Sequence, residues 1–438
     1  MLKAAFALAL VGVLVTASSA VAHHPQGVWA PVGGIGWFDP DMKKAHDLQQ
    51  AADSSAVAQA VGFTPCVGGQ AGVYPCQNVD LMSFLPLAEI GGGEIGNDIW
   101  GWEDPETGRN YAIMGRTNGT AFVDITDPAN PVFVGNLPSQ STSSSFIFWR
   151  DIKVYEDHAF IVSEHRGHGM QVFDLTRLRD VESTPATFEA DTVYRGITSA
   201  HNLFINEDSG FAYVVGSNRC RGGLHIVDVT EPQDPRFEAC YSGDGYTHDV
   251  QCVDYQGPDE RFTGREICFA SNEDTVTIVD VTDKSDPELL ARRGYATAAY
   301  THQGWLTPDQ ATFVFNDELD EVTETVPEQT TYILDVSSLT DPPPPTLSGN
   351  GTTAIDHNLY ITKGRVYEAN YTAGLRIFDA ASIPTGDLVE LAWFDVFPAS
   401  DEPVFEGSWS SYPFYDENIV AVSGIDSGLF VLRPQLGG

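Results

Sequence analysis

The sequence predicts an all-β chain folded as a seven-bladed β-propeller, and three observations carry the prediction. A short apolar motif ending in Asp recurs along the chain at intervals near 50 residues, which is the period of propeller blades and similar arrays. Gly (41) and Pro (26) are plentiful, as suits many short strands joined by tight turns. The last unit lacks a fourth strand, and a spare strand-like segment precedes the first unit.

The motif begins on a small or turn residue, alternates apolar positions, reaches Asp, and often continues into Thr and Pro. Its copies are Thr120-Ala-Phe-Val-Asp124, Gly169-Met-Gln-Val-Phe-Asp174, Gly223-Leu-His-Ile-Val-Asp228, Val276-Thr-Ile-Val-Asp280, Thr331-Tyr-Ile-Leu-Asp335, Gly374-Leu-Arg-Ile-Phe-Asp379 and Gly428-Leu-Phe-Val-Leu-Arg433, the last with Arg in place of Asp. Each unit resolves into four strands. In the clearest, residues 248–254 form the inner strand, 265–270 the second, 275–281 carry the motif and 288–294 form the outer strand. One such blade cannot bury both its faces, whereas a ring of seven can. The segment Leu81-Met-Ser-Phe-Leu-Pro-Leu-Ala-Glu-Ile90 is expected to become the outer strand of blade seven and to remove an exposed edge. The repeated Asp reads as structural: it ends a strand, and its carboxylate accepts turn N–H groups.

The first residues read as a secretory signal over 1–22. Lys3 gives the positive start, residues 4–15 an apolar run too short to span a bilayer, and Ala20-Val21-Ala22 a cleavage site. An N-terminal extension over 23–78, with a short helix near 41–60 and a disulfide loop, would lead into the propeller over 79–438. The mature chain would start on His23-His24, a pair read as part of a flexible tail. No later stretch is apolar and long enough to insert in a membrane, and the C-terminus shows no hydrophobic tail. An exported protein is expected: secreted, periplasmic or at the cell surface, and monomeric.

Charge narrows the partners. Lys+Arg total 23 against 61 Asp+Glu, a formal charge of −38. Such a surface repels nucleic-acid phosphates and anionic lipid. A protein or glycan partner outside the cytoplasm stays open.

Three stretches are distinctive: Cys66-Val-Gly-Gly-Gln-Ala-Gly-Val-Tyr-Pro-Cys76-Gln-Asn-Val-Asp80, Cys220-Arg-Gly-Gly-Leu-His-Ile-Val-Asp228, and Tyr246-Thr-His-Asp-Val-Gln-Cys252 with Glu266-Ile-Cys-Phe-Ala-Ser-Asn-Glu-Asp274. They resemble the LVIVD-repeat propellers and, more closely, the choice-of-anchor B family of bacterial surface proteins. The resemblance implies export and a propeller, and brings neither a reaction nor catalytic residues.

Topology pairs the six cysteines. Cys252 on an inner strand lies opposite Cys268 on its hairpin partner. Cys220 precedes the third strand of blade three and Cys240 ends the fourth, so antiparallel pairing brings them together. Cys66 and Cys76 remain, in one Gly-rich loop. The rival uses are metal ligation and redox exchange, but no C-x-x-C occurs.

Inner-strand starts align as Asn97-Asp98, Arg150-Asp151, His201-Asn202, His248-Asp249, His302-Gln303, His357-Asn358 and Ser408-Trp409. Four consecutive blades thus bring His to one mouth of the channel. Second strands end at the same mouth, on Arg116, Glu164, Asn218, Asn272, Asp317, Asn370 and Gly424, beside the loop carrying His165 and His168. Imidazoles with carboxylate or amide oxygens make a transition-metal ligand set, so His201, His248, His302 and His357 are candidate ligands of a divalent metal. Arg116 and Arg150 suit a carboxylate-bearing ligand. The same positions also suit hydrogen bonds between blades. The acidic run Asp317-Glu-Leu-Asp-Glu321 has the charge for calcium without the spacing of a dedicated loop, and reads as a solvated face. The first functional reading is a binding or interaction module, not an enzyme, with its ligand at the His-bearing mouth. One alternative is a metal-dependent hydrolase or lyase at that mouth, with Glu164 or Asp317 as base; another is a purely structural envelope protein.

Overall fold

The computed structural model describes residues 60–93, 95–141 and 149–437. The secretory signal, His23-His24 and all but the last residue of the candidate helix over 41–60 lie outside the described residues. The rest forms seven β-sheets, one per blade. Inner strands, in blade order, are Gly96–Glu103, Arg150–Tyr155, Asn202–Asn206, Asp249–Asp254, Thr301–Leu306, Leu359–Thr362 and Ser408–Tyr412. Each begins an antiparallel sheet running outward through three further strands, as the repeat predicts. Blade four shows the match most directly, with strands Asp249–Asp254, Glu266–Ser271, Thr275–Asp280 and Glu288–Gly294.

The repeat motif has a physical cause at each end. In two of the copies that open on Gly, the backbone takes a left-handed turn: φ is 74° at Gly169 and 73° at Gly374. A Cβ at Gly374 would lie 2.2 Å from the Phe394 carbonyl oxygen. Where it closes on Asp, the carboxylate caps the turn. The Oδ1 atoms of Asp124, Asp174, Asp228, Asp280, Asp335 and Asp379 all accept from the N–H two residues on, at 2.8–3.0 Å. The copy with Arg433 instead runs straight on to Pro434 and pairs with the ring-closing strand.

That closing strand is Val79–Pro86. It pairs antiparallel with Gly428–Pro434 as the fourth strand of blade seven. It is buried on both faces. Phe84 packs among Phe430, Val422 and Phe394 towards blade six. Met82 and Leu85 pack with Met114 and Ala121 of blade one. Neighbouring blades elsewhere meet through the same kind of seam, such as Phe122 stacked on Phe173 with ring centroids 4.7 Å apart.

Two features depart from the four-strand expectation. Tyr74–Gln77 pairs with Val389–Phe394 and, with Gln70–Ala71, enlarges blade six to six strands. Ala186–Thr187 adds a parallel fifth strand to blade one. Residues 60–78 are therefore built into the ring: Val61 and Thr64 also bridge to Phe84 and Leu81. The disulfides are Cys66–Cys76, Cys220–Cys240 and Cys252–Cys268, the pairs the topology predicts. Cys252 and Cys268 face each other directly across the first hairpin of blade four.

Candidate functional site

Four imidazoles form a ladder around one mouth of the channel. Ring centroids are 4.2 Å apart between His201 and His248, 4.1 Å between His248 and His302, and 4.2 Å between His302 and His357. Each stands at the head of an inner strand, so adjacent blades bring adjacent rings into contact. The Nδ1 edge of every ring is held by an oxygen. His201 Nδ1 meets Glu164 Oε1 at 2.8 Å, His248 Nδ1 the His302 carbonyl at 2.9 Å, and His302 Nδ1 Asn316 Oδ1 at 3.2 Å. His357 Nδ1 meets the Trp409 carbonyl. Carbonyl oxygens only accept, so the Nδ1 atoms of His248, His302 and His357 carry the proton and their Nε2 atoms keep the lone pair. This is the arrangement that orients metal-binding histidines.

Glu318 faces those lone pairs. Its Oε2 lies 3.8 Å from His302 Nε2 and its Oε1 3.6 Å from His357 Nε2. The Tyr371 hydroxyl donates to Oε1 at 2.6 Å and fixes the carboxylate. His248, His302 and Glu318 each offer a ligand atom within 4.8 Å of the others. A tetrahedral ion with bonds of ~2.0–2.1 Å needs ligands roughly 3.4 Å apart, so a small closure of the observed spacing would complete a site. Electrostatics suit the same use. Burial holds the imidazoles of His248 and His302 well below the usual range and that of His357 at about 3, which keeps them neutral, as ligands must be. His201 differs. Burial lowers it, but the Glu164 carboxylate outweighs burial and raises it overall. Burial pushes the Glu318 carboxyl up to about 7.

The mouth continues as an aromatic wall. Trp409 lies against His357 at 4.6 Å and stacks on Trp149 at 4.5 Å. Trp149 and Trp409 belong to blades two and seven, which are not neighbours, so their contact crosses the channel. The other end is plugged in the same way: Trp100 of blade one meets Tyr360 of blade six at 5.8 Å, and Phe204 of blade three meets Trp305 of blade five at 5.9 Å. Between mouth and plug, the second residue of several of the aligned starting pairs joins blade to blade. Asp98 Oδ2 accepts from Ile152 N–H, Asp151 Oδ2 from Leu203 N–H, and Asn202 Nδ2 donates to the His248 carbonyl. The interblade bonding weighed for the His positions thus falls on these residues and also on the Nδ1 edges of His201, His248 and His357; only His302 is held within its own blade.

Other expected mouth residues are committed to bonds of their own. Arg116 is fully buried and donates to the Gly92 carbonyl and to Asn136 on the outer strand of its own blade. Arg150 donates to the Arg116 carbonyl at 2.7 Å and meets His168 Nε2 at 2.9 Å, so neither guanidinium joins the imidazole ladder. His168 is held at about 3 by burial and by Arg150, and His165 is buried in the same loop. Asn218 accepts from the Thr198 and Ser199 N–H groups, and Asn272 donates to the Asp244 carbonyl. Asp317 accepts from Ala299, Tyr300 and Leu319 N–H and the Tyr295 hydroxyl. Asn370 is buried beside Glu368. Glu318, Tyr371 and Trp149 escaped sequence reasoning, although Glu318 sits beside Asp317 in a run already singled out.

Residues 109–138 match the LVIVD repeat model, the second to fourth strands of blade one. No curated protein matches. The β-propeller domain of Cps50 (Swd1) from Myceliophteria thermophila is similar over 78% of this chain and 97% of its own, at 11% identity and a TM-score of 0.50. That likeness is one of fold. A functionally unknown protein from Desulfotomaculum acetoxidans DSM 771 matches at 12% identity over 83% of this chain and 99% of its own, TM-score 0.48. The extracellular domain of a putative one-component system from B. thetaiotaomicron matches at 14% over 81% of this chain and 42% of its own, TM-score 0.49.

Proposed function

We propose that this is an exported binding propeller of the choice-of-anchor B kind, whose channel mouth holds a divalent transition-metal ion on His248, His302, His357 and Glu318. One observation carries the reading: consecutive imidazoles with protonated, oxygen-held Nδ1 atoms present free Nε2 atoms beside a fixed carboxylate. His201, held by Glu164, completes the ladder and can meet the ligand itself. The aromatic plug supports a one-ended well whose ligand enters past Trp149 and Trp409. Three disulfides support an oxidising compartment, and among the described residues no helix is long and apolar enough to cross a membrane. A bound ion would add a Lewis-acidic position for an anionic or carbonyl group of the ligand.

Hydrolysis at the same mouth is the second reading, favoured by Glu164, whose Oε2 is buried without a hydrogen-bond partner. Asp317 is unsuited as its base, being committed to several donors. Elemental analysis of protein purified without chelator separates these readings from a structural role. Near-stoichiometric zinc, copper or nickel, lost in His248→Ala/His302→Ala, is the expected result. Absence of metal in the wild type, with no uptake on titration, would overturn the metal site.

A further inference from the structure

The run from Asp317 to Glu321 is not the solvated face its composition suggests. Asp320 is 0% exposed and Glu321 6%, and they meet Asp356, also 0% exposed, from the start of blade six. A carboxylate oxygen from each of the three lies within 4.8 Å of the others. Each carboxylate has one oxygen held by a protein donor. The Tyr332 hydroxyl donates to Asp320 Oδ2 at 2.6 Å, Thr330 N–H to Glu321 Oε1 at 3.0 Å, and Gln329 Nε2 to Asp356 Oδ2 at 3.2 Å. Their other oxygens, Asp320 Oδ1, Glu321 Oε2 and Asp356 Oδ1, are buried and receive no N–H or hydroxyl donor, and the Asp320 and Glu321 carboxyls lie within hydrogen-bonding reach of each other.

Gln329 gives an independent sign. It is uncharged and 0% exposed. Its Nε2 anchors it in the cluster through Asp356 and Glu368, and its Oε1 is likewise without a partner. A protein does not ordinarily bury acceptors in this way unless an ion or water satisfies them.

We propose that these oxygens form a calcium site at the junction of blades five and six, held by Asp320, Glu321, Asp356 and the Gln329 amide oxygen. An all-oxygen set with a neutral amide suits a hard cation. Calcium tolerates such irregular carboxylate geometry better than magnesium, which insists on an octahedron and keeps its water. Glu321 also lines a surface hollow with Glu324, Thr325, Glu328 and Thr353, which gives the ion a way in and water to complete its shell. The site is separate from the imidazole mouth in donor type, and it braces the loop that carries Glu318 and the residue before His357.

The test is calorimetric titration of the full chain, stripped with chelator, with calcium chloride in physiological salt and excess magnesium. One saturable equivalent of calcium and a higher melting temperature are expected. Asp356→Asn and Glu321→Gln should each weaken binding by more than about 10-fold, while the exposed Asp127→Asn and the mouth variant His248→Ala/His302→Ala should not. Absence of saturable binding in the wild type overturns the proposal whatever the variants do. So does unchanged affinity in either carboxylate variant with a native circular dichroism spectrum.

Discussion

Replacing Phe84 by Ala tests ring closure at its most sensitive point. Phe84 sits on the strand that the N-terminal part of the chain donates to blade seven. It is 2% exposed, and its ring centroid is 4.6 Å from that of Phe430. It meets Phe430 of blade seven and Tyr74 of the added strand directly, in a core cluster shared with Val422 of blade seven and Phe394 of blade six. Truncating a buried Phe costs about 3–5 kcal/mol, from lost transfer energy and the cavity left behind. Phe63, only 21 positions earlier but 54% exposed, is the control, and its truncation should stay within about 0.5 kcal/mol. In urea, followed by tryptophan fluorescence, Phe84→Ala should lower the midpoint by about 1 M at a slope near 3 kcal/mol per M or somewhat above. Phe269→Ala, inside blade four and fully buried, should give a comparable loss. Equal midpoints for Phe84→Ala and Phe63→Ala would show that the strand does not lock the ring.

Two further outcomes follow from the same physics. Removing the Cys252–Cys268 bridge, which spans 16 positions, should destabilise by about 3 kcal/mol through the freed unfolded chain; Cys252→Ser/Cys268→Ser compared with wild type in urea checks this. His225 meets the Tyr194 hydroxyl at 2.9 Å and stacks on Phe237, and burial holds its imidazole at about 4. Because that lies below the unfolded value of ~6.5, the neutral form is the folded form. Its stability is complete above ~6.5 and lost as pH falls towards about 4, by about 3 kcal/mol at most. The stability gap between wild type and His225→Gln should therefore shift by that order across this window, the wild type losing more on acidification; parallel pH profiles would contradict the assignment.

Blade number, strand order and closure were legible because each depends on backbone periodicity. The terminal Asp of each motif and its turn recur in sequence as they recur in space, and Cys252 and Cys268 read as opposite because a hairpin fixes register. Side-chain direction was not legible. Arg116 ends the second strand of blade one as Glu164 ends that of blade two, yet Arg116 turns outward to Asn136 while Glu164 turns to His201. Position on a strand leaves the long rotamers open, and burial decides among them only once neighbours are known. Tyr74–Gln77 was equally silent: a four-residue strand containing Pro75 has too little alternation to announce a partner more than 300 residues away. Composition misled at Asp320 and Glu321, since an acidic run looks solvated unless Asp356 and Gln329 are seen closing over it.

The most direct test of the metal-holding mouth is X-ray absorption spectroscopy of the protein loaded with one equivalent of zinc. The account predicts a nitrogen and oxygen shell at about 2.0–2.1 Å with the multiple-scattering signature of at least two imidazoles, reduced in His302→Ala. A shell of water and carboxylate oxygen alone, without imidazole scattering, would contradict it.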